Sequence, residues 1–445
     1  MPVGDIVSGY TFVPAEKNID QTKLNAIAGQ ATIAPAFISG QTPASSTGSG
    51  DYFVFLQSGG TLAKILTQDL ATSIGSSSGM TSAITAVRLR SFSSIGNPGF
   101  EVDQRNVGNS VVSPAAGTMI IDRWQKAGSG TYAVNVRQNV DTGQPIIIPG
   151  TNYRISSKLF QVNLQTTEPS MAAGDFLSIR QTVEGSALRE LISDTHSLSL
   201  LVSSTVAGLK FGVTLRDAGT AYSLSNLCTI PSANTWTLIS LPNLPIWSPS
   251  GTFNVVPGQV GYYIDICLAS GSTNTAPSNG AWIAGNYVAA NGQSNFCASP
   301  VNSLFMIGFI QHEPGPVCTQ LMDLPFSGSN GNLESCQRYF QKSYDYGTKP
   351  GTVTSNGVMA PVVLSAATTG FGPISYKRTM AKDPTITIYS WSTGAAGSLT
   401  DSNGTVHASA VASNIGDAGF SGVTFATATS GVCAAYIHYT ADTGW

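Results

Sequence analysis

The chain has 445 residues, of which 42% are hydrophobic and 10% are charged, and its formal net charge is −3. Average globular chains carry about 25% charged residues, so charge is replaced here by Gly, Ser, Thr, Asn and Ala, while enough apolar residues remain for a folded core. No basic run accompanies this balance, which excludes nucleic acid as an expected partner, and no apolar run approaches the ~18 residues of a membrane helix.

The length predicts about three domains, counted at roughly 150 residues each. Changes in sequence texture place them at residues 1–90, 91–325 and 326–445. The opening sequence MPVGDIVSGYTFVPAEKNIDQ lacks the basic-then-apolar layout of a secretory signal peptide, so folding in a cytoplasm is expected.

The N-terminal region contains two short predicted elements joined by Ser/Gly-rich linkers. In NIDQTKLNAIAG, Asp20 can cap a short helix on which Leu24 and Ile27 share a face. Farther along, the apolar runs at 53–56 and 62–66 flank a Gly-Gly turn, which indicates a hairpin. Elements this small cannot build much of a core alone, so this region is expected to dock on something else.

The central region reads as a series of β-strands. LKFGVTLR, at 209–216, alternates between apolar residues on one face and Lys, Gly, Thr and Arg on the other. GYYIDICLAS, at 261–270, likewise places Tyr263, Asp265 and Cys267 opposite its apolar residues. Alternation with a period of two, interrupted by turn residues, predicts an antiparallel sandwich, and about 230 residues in one such unit fit a jelly roll.

The C-terminal region is predicted to begin with a short amphipathic helix in NLESCQRYFQKSYDYG and to continue as a small β-domain. The spacing favours a helix that stops at Gly347, and strand patterns follow in PTITIYSW and AAYIHYT. One face of the predicted helix carries Leu333, Cys336, Phe340 and Tyr344, and another carries Glu334, Arg338 and Lys342.

Neither cysteine nor histidine forms a recognisable ligand or redox pattern. No two cysteines have CxxC spacing, and the histidines do not cluster with them. Scattered thiols of this kind are expected to be isolated and buried, so no metal site, no disulfide framework and no cofactor are predicted. The cysteines are Cys228, Cys267, Cys297, Cys318, Cys336 and Cys433.

Paired carboxylates are the one feature that would suit an enzyme, because glycosidases use two of them. The candidates are Asp175, Glu184, Glu190 and Asp194, which lie close together in sequence. A solvated surface cluster is the favoured interpretation, since charged residues are mostly exposed. No catalytic residue is therefore assigned, and a polysaccharide hydrolase remains the less favoured alternative.

Aromatic residues in turn-rich stretches are the predicted ligand-binding groups. Trp247 lies in LPIWSPSG, and Trp282, Asn286 and Tyr287 lie in GAWIAGNYVAANGQSNF. An exposed ring there can stack on a sugar face while amides bond its hydroxyls. The alternative is that these rings pack a loop or a subunit interface.

Several of these segments together resemble a bacteriophage structural-protein family, in tail fibres and other virion appendages. The segments are NPGFEVDQR, ANTWTLISLP, GAWIAGNYVAANGQSNF and LESCQRYFQKSYDYG, with SCQRYFQKSY the most specific. They span about 95 to 350, over half of the chain. GDYFVFLQSGGTLAKILTQDL is also similar to the small attachment modules that begin many phage fibre proteins.

The resemblance implies a carbohydrate-binding-module-like jelly roll in a virion-attached, non-enzymatic and trimeric fibre or spike. Attachment to other virion proteins would use the N-terminal region, including Asp20, Leu24 and Ile27, and the expected location is the virion. Host-surface polysaccharide is the expected ligand, and trimeric avidity would strengthen weak single sites. The alternative is a head, neck or collar decoration fibre without a receptor role.

Within this resemblance, NPGFEVDQR and IIDRW read as the opening strands of the jelly roll. Phe100 and Trp124 are expected to anchor its core, and Trp236, in a strand-like run, is also expected in the core. Related sandwiches often hold calcium near such a Phe-Glu pair. Glu101 and Asp103 offer oxygen ligands, but calcium takes six to eight, so no metal is assigned.

Overall fold

The computed structural model describes the chain in a set of ranges that belong to two compact units. The units are Met1–Arg88 and Leu89–Trp445. Within the described part, no helix has the length and apolar character needed to cross a membrane. The described residues are 52–56, 62–66, 93–140, 146–150, 158–193, 195–248, 250–319, 321, 331–360, 368–369, 373–426 and 434–445.

The described residues of the first unit form a β-hairpin. Strand β1 (Tyr52–Leu56) pairs antiparallel with β2 (Leu62–Leu66), so the predicted hairpin is confirmed. The predicted helix that carries Asp20, Leu24 and Ile27 lies outside the described residues. The attachment role of this region therefore stays a prediction.

The second unit begins with two antiparallel sheets that form a sandwich, here named sheet A and sheet B. Short helical segments lie at Gly185–Leu188 (α1), Ser272–Asn274 and Phe296–Ala298. In spatial order, sheet A contains Trp282–Ala284 (β14), Tyr222–Ile230 (β11), Leu209–Asp217 (β10), Val260–Ser270 (β13), Phe176–Glu184 (β8), Trp124–Ala127 (β5) and Met119–Ile121 (β4). Sheet B contains Thr237–Leu244 (β12), His196–Ser204 (β9), Leu304–Pro314 (β15), Lys158–Thr166 (β7), Ala133–Val140 (β6) and Val111–Val112 (β3). The predicted mainly β, antiparallel sandwich is confirmed.

The facing sides of the two sheets bury one continuous apolar core. The apolar positions of β10 and β13, from Leu209 to Leu215 and from Tyr262 to Leu268, belong to it, as their alternation predicts. Each fully buried large apolar side chain contributes about 1.5–3 kcal/mol to folding. Phe100 and Trp124 lie in this core with ring centroids 5.2 Å apart, which confirms them as anchors.

Trp236 differs from the expectation for a core tryptophan. It is half-buried and packs against a smaller, separate cluster that contains Leu201 and Phe309. Leu201 lies between Leu200 and Val202, which both belong to the main core, so alternation turns it to the other side of sheet B. The strand pattern around Trp236 could not distinguish the two sides.

The described residues of the C-terminal part of the second unit form three small sheets around an apolar core of their own. The predicted strands in PTITIYSW and AAYIHYT are confirmed at Thr385–Ser390 and Ala435–Asp442. The largest sheet contains Phe340–Lys342 (β16), Ala435–Asp442 (β25), Ser398–Asp401 (β20), Val406–Ala408 (β21) and Thr385–Ser390 (β19). The others contain Thr368–Thr369 (β17), Val423–Thr424 (β24) and Val411–Ala412 (β22), and Ile374–Ser375 (β18) and Gly419–Phe420 (β23).

The predicted helix in this part is shorter than its sequence pattern suggests. Helix α2 covers only Asn332–Gln337, and the chain then enters β16, so the prediction of one helix through Tyr344 is wrong over its second half. β16 pairs with the last residues of β25, at Thr440 and Asp442. Backbone bonds to a strand about one hundred residues away override the local helical pattern.

Lys342 shows what this change does to the predicted polar face. Its side chain is buried, and its Nζ donates to the carbonyl oxygens of Gln104, Tyr346 and Thr348 at 2.8, 2.8 and 2.7 Å. Burial lowers the pKa of Lys342 to about 8. The residue therefore joins the C-terminal part to the opening of the sandwich instead of extending into solvent.

Ion pairs also connect the sandwich to the C-terminal part. Arg338 and the Tyr339 hydroxyl both donate to Glu184 at the end of β8. Arg105 in the opening segment pairs with Asp442 of β25. Both parts belong to one compact unit, and their predicted division near residue 325 into separate domains stays a prediction.

Candidate functional site

The outer side of sheet A, opposite the core, carries polar side chains at successive positions of three neighbouring strands. β13 lies between β8 and β10, and the register places Asp265 opposite Arg180 on β8. On the other side, Arg216 of β10 lies opposite Tyr263. Because neighbours i and i+2 on a strand share a face, Tyr263 and Asp265 lie on the same side as both arginines.

Asp265 is fully buried beneath this face and holds two guanidinium groups. Its Oδ1 accepts hydrogen bonds from Arg180 Nε at 2.8 Å and from Ser178 Oγ at 2.9 Å, and its Oδ2 accepts from Arg216 Nε at 2.9 Å. Burial raises the pKa of this carboxyl, but the two guanidinium groups more than offset it, so the pKa lies below its ordinary value. Asp265 is therefore an anion that fixes both arginine side chains.

An open cavity of about 450 Å³, here called the sheet-A cavity, lies above this carboxylate. The loop after β14 borders it at Asn286, and the chain end borders it at Gly444 and Trp445. Its wall is formed largely by Gln125, Arg180, Thr182, Arg216, Tyr263 and Asn286. The structure thus brings one predicted binding residue, Asn286, to the cavity.

The wall of this cavity combines aromatic rings, among them Tyr263, with hydrogen-bonding groups. Tyr263 is half-buried, and the guanidinium carbon of Arg216 lies 5.2 Å from its ring centroid. Asn286 Oδ1 accepts from Arg216 Nη1 at 2.6 Å. Among the described residues that line the cavity, none is acidic and none is histidine. The cavity therefore offers stacking and hydrogen-bonding groups to a ligand.

Trp247 does not present its ring to solvent, so the expectation of an exposed ring is wrong. The side chain is 5% exposed and belongs to the sandwich core. Its ring stacks on His196 at a centroid distance of 4.8 Å, and its Nε1 donates to the Leu191 carbonyl at 3.0 Å. The indole fills the core with its one polar atom satisfied, which leaves no face for a sugar.

Trp282 and Tyr287 are close in sequence to the lining residue Asn286, but neither of them lines the cavity. Trp282 is half-buried and packs on Trp247 and Phe253 at centroid distances of 5.5 and 5.3 Å. Tyr287 is also half-buried, and its backbone N–H donates to Ser223 Oγ. A ligand role for either ring stays a prediction.

The paired carboxylates do not form a solvated surface cluster. Glu184 is 2% exposed, and its two oxygens accept from Arg338, Tyr339 and the Gly258 backbone at 2.5–3.0 Å. Burial raises its pKa, but these donors hold it below the ordinary value. Glu184 is therefore a structural anion, and both of its oxygens already accept hydrogen bonds. Asp175 is half-buried, Glu190 is exposed and Asp194 lies outside the described residues.

The other candidate ligand groups are also engaged in the fold. The oxygens of Asp103 accept from the Asn106 and Gly108 backbone at 2.9 and 2.7 Å. Among the described residues, no group of three or more His, Cys, Asp and Glu side chains is arranged to hold a metal ion. Free, buried thiols, as predicted, are found at Cys228, Cys267, Cys297 and Cys336, while Cys318 is half-buried and Cys433 lies outside the described residues.

Most of the cavity wall escaped prediction from the sequence. Alternation placed Tyr263 and Asp265 on the polar side of one strand and Arg216 on the polar side of another, but nothing local showed that those sides coincide. Arg180 lies in SIRQ, where it carries no distinctive pattern. The signal that could have indicated these wall residues was a polar residue at an alternating position inside an apolar strand.

No family model and no curated protein matches the sequence. Among solved structures, the chain is similar over 50% of its length to TmCBM61 in complex with β-1,4-galactotriose, at 11% identity, 98% coverage of that chain and a TM-score of 0.26. It is similar over 47% to a family 11 carbohydrate-binding module from Clostridium thermocellum, at 11% identity, 96% coverage and a TM-score of 0.24. It is similar over 46% to a domain of bacteriophage CBA120 tailspike protein 4, at 12% identity, 22% coverage and a TM-score of 0.25. At these identities and scores the matches decide neither ligand nor activity.

Proposed function

We propose that this chain is a non-catalytic saccharide-binding protein and that the sheet-A cavity is its binding site. The observation that carries the proposal is the wall of that cavity, where the Tyr263 ring lies beside the donors and acceptors of Gln125, Arg216 and Asn286. A pyranose presents apolar C–H groups on its faces and hydroxyls around its rim, so it needs this combination of groups.

The rigidity of the wall supports the same proposal. Tyr263 and both arginines stand on strands of sheet A, and Asp265 holds the arginines from below. Groups fixed before binding lose little side-chain entropy when a ligand arrives. The site can therefore bind a polar ligand that offers only modest buried apolar area.

We propose further that the protein is a trimeric component of a bacteriophage tail fibre or spike, attached through its N-terminal region. Support comes from the resemblance of SCQRYFQKSY and the preceding segments to phage appendage proteins. Trimeric presentation would convert modest single-site affinity into avidity. The solution mass of the purified chain tests this assembly, and a stable monomer would contradict it.

The binding proposal is tested with the purified full chain on a panel of neutral and acidic polysaccharides, with release of reducing ends followed in parallel. Binding without cleavage is expected. Tyr263→Ala should weaken binding by about two- to tenfold, since stacking on an aromatic ring contributes roughly 0.5–1.5 kcal/mol. The matched control is Tyr436→Ala, a half-buried tyrosine of the C-terminal part that does not line the cavity.

Each result of this experiment has a definite consequence. Equal losses in Tyr263→Ala and Tyr436→Ala would place the binding site elsewhere. Cleavage would show that the protein is an enzyme. Binding to no saccharide would favour the alternative of a decoration fibre without a receptor role.

A further inference from the structure

The charged side chains around the sheet-A cavity do not balance. Arg180 and Arg216 line it, Asp265 lies beneath them, and none of the lining side chains is acidic. Two guanidinium groups against one carboxylate leave one positive charge in excess among these side chains. A cation at the wall of a partly enclosed cavity attracts an anion more strongly than one in open solvent, because the surroundings screen it less.

The two arginines differ in how many donors they have left. Arg216 uses all three of its nitrogens, since Nε and Nη2 face Asp265 Oδ2 and Nη1 donates to Asn286. Arg180 donates through Nε alone, and within the described part of the chain its two Nη groups donate no hydrogen bond. Its side chain is 19% exposed, so these groups reach the cavity. Arg180 therefore has more donors free for a ligand than Arg216 has.

The remaining donors of Arg180 have the geometry that suits a planar anion. The guanidinium is held by its Nε on Asp265, which leaves the Nη end as a fixed pair of parallel donors. A carboxylate accepts from such a pair with both oxygens and its charge pairs with the guanidinium, whereas a sugar hydroxyl accepts with one oxygen and carries no charge. The pair therefore distinguishes an acidic sugar from its neutral counterpart.

We propose that the sheet-A cavity selects saccharides that carry a carboxylate, and that Arg180 binds this group. The inference rests on the proposed function and adds the chemical class of the ligand to it. Tyr263 and the amides hold the sugar ring, and Arg180 recognises the acid.

The test compares acidic polysaccharides with neutral derivatives of the same backbone. The probes are oligosaccharides of polygalacturonate, alginate and hyaluronan, each beside its carboxyl-reduced or methyl-esterified form, together with a neutral β-glucan. We expect at least one acidic form to bind the full chain about tenfold more tightly than its neutral derivative, since hydrogen bonds to charged groups carry this much energy. The preference should weaken as salt is raised.

Two variants assign the preference to Arg180. Arg180→Met should bind the acidic and neutral forms equally, while Arg180→Lys should keep part of the preference because it retains the charge without the paired donors. Arg189→Met, an exposed arginine of the sandwich that does not line the cavity, is the control and should behave as the wild type. Unfolding midpoints show whether each variant is folded. If Arg180→Met does not fold, the reduced preference of Arg180→Lys for the acidic forms tests the role of Arg180.

The outcomes separate this inference from the proposed function. Equal or tighter binding of the neutral forms would overturn the acid preference while leaving saccharide binding intact. A preference that survives in Arg180→Met would remove Arg180 from the site. Binding of none of the probes by the wild type would contradict both proposals together.

Discussion

Two regions of the sandwich contain the side chains that bear on ligand binding. One is the aromatic cluster, formed by Trp247, Trp282, Phe253, His196 and His312, which fills the core beside β9 and β15. The other is the sheet-A cavity, whose wall stands mostly on strands. Aromatic residues in turn-rich stretches were expected to bind, yet Trp247 packs inside. Turn composition fixes where the backbone bends, whereas burial depends on what the ring can reach.

The largest expected effect is on stability and concerns Trp247. Trp247→Ala should lower the free energy of unfolding by about 3–5 kcal/mol, because it removes a large buried ring and leaves a cavity. The fraction that remains folded should bind saccharide as the wild type does, since Trp247 does not line the sheet-A cavity. Chemical denaturation measures the first quantity and a binding titration the second. A variant of unchanged stability that lost binding would reverse the comparison between the two regions.

Acidification should affect the two regions in different pH ranges. In the aromatic cluster, His196 Nδ1 lies 2.8 Å from His312 Nε2, and His312 Nδ1 lies 2.6 Å from the Tyr262 hydroxyl. Burial lowers the pKa of His196 to about 4, and that of His312 also lies well below its ordinary value. Unfolded histidine binds a proton near pH 6.5, so the stability that neutral His196 contributes is lost as the pH falls from about 6.5 to about 4. This loss reaches about 3 kcal/mol.

The stability contributed by Asp265, beneath the sheet-A cavity, should change only at lower pH. Because the pKa of Asp265 lies below the ordinary 3.8, its contribution is present above that value and is lost as the pH falls below it. Asp122 has the opposite effect on stability from the histidines. Burial raises its pKa to about 7, so its protonation on acidification favours the folded state. Unfolding curves of wild type and His196→Gln between pH 7 and pH 4 isolate the histidine part. Parallel pH dependences in the two proteins would contradict a buried, neutral His196.

How much the sequence could predict is seen in strands β10 and β13. Their period of two identified the core positions correctly, because alternation is a local property of a strand. The contacts of Asp265 with Arg180 and Arg216 can be predicted only when the register between the strands is known. These two partners are 85 and 49 residues away in sequence. Register follows from the whole sheet, so the face was predictable and the site was not.

The segment SCQRYFQKSY shows the same limit from the opposite direction. Its spacing predicted one helix, yet the second half pairs with β25 and directs Lys342 inward. Arg338, which shares a face of the predicted helix with Glu334, donates to Glu184 on sheet A. Helical pairs contribute only about 0.2–0.5 kcal/mol each, whereas backbone pairing and a buried carboxylate partner contribute more. Distant partners therefore determined the structure of this segment.

The smallest expected effect separates two neighbours in the loop after β14. Asn286 lines the sheet-A cavity and accepts from Arg216, whereas Tyr287 does not line it and lies close to Gly285, where an added Cβ would meet its ring at 2.3 Å. Gly285 has a φ of +136°, a conformation that other residues rarely adopt, so the ring lies against a backbone that only glycine suits.

Asn286→Ala should therefore weaken saccharide binding by about tenfold, because it removes a wall acceptor and frees Arg216 Nη1. Tyr287→Ala should change binding by less than about threefold and lower stability by about 1 kcal/mol, through lost packing of a half-buried ring. Titration of both variants with the same ligand measures the contrast. A larger loss in Tyr287→Ala would make that ring a sugar platform and extend the binding surface from the strands to the loop. The reverse order would confine recognition to groups that the strands and their fixed partners hold in place.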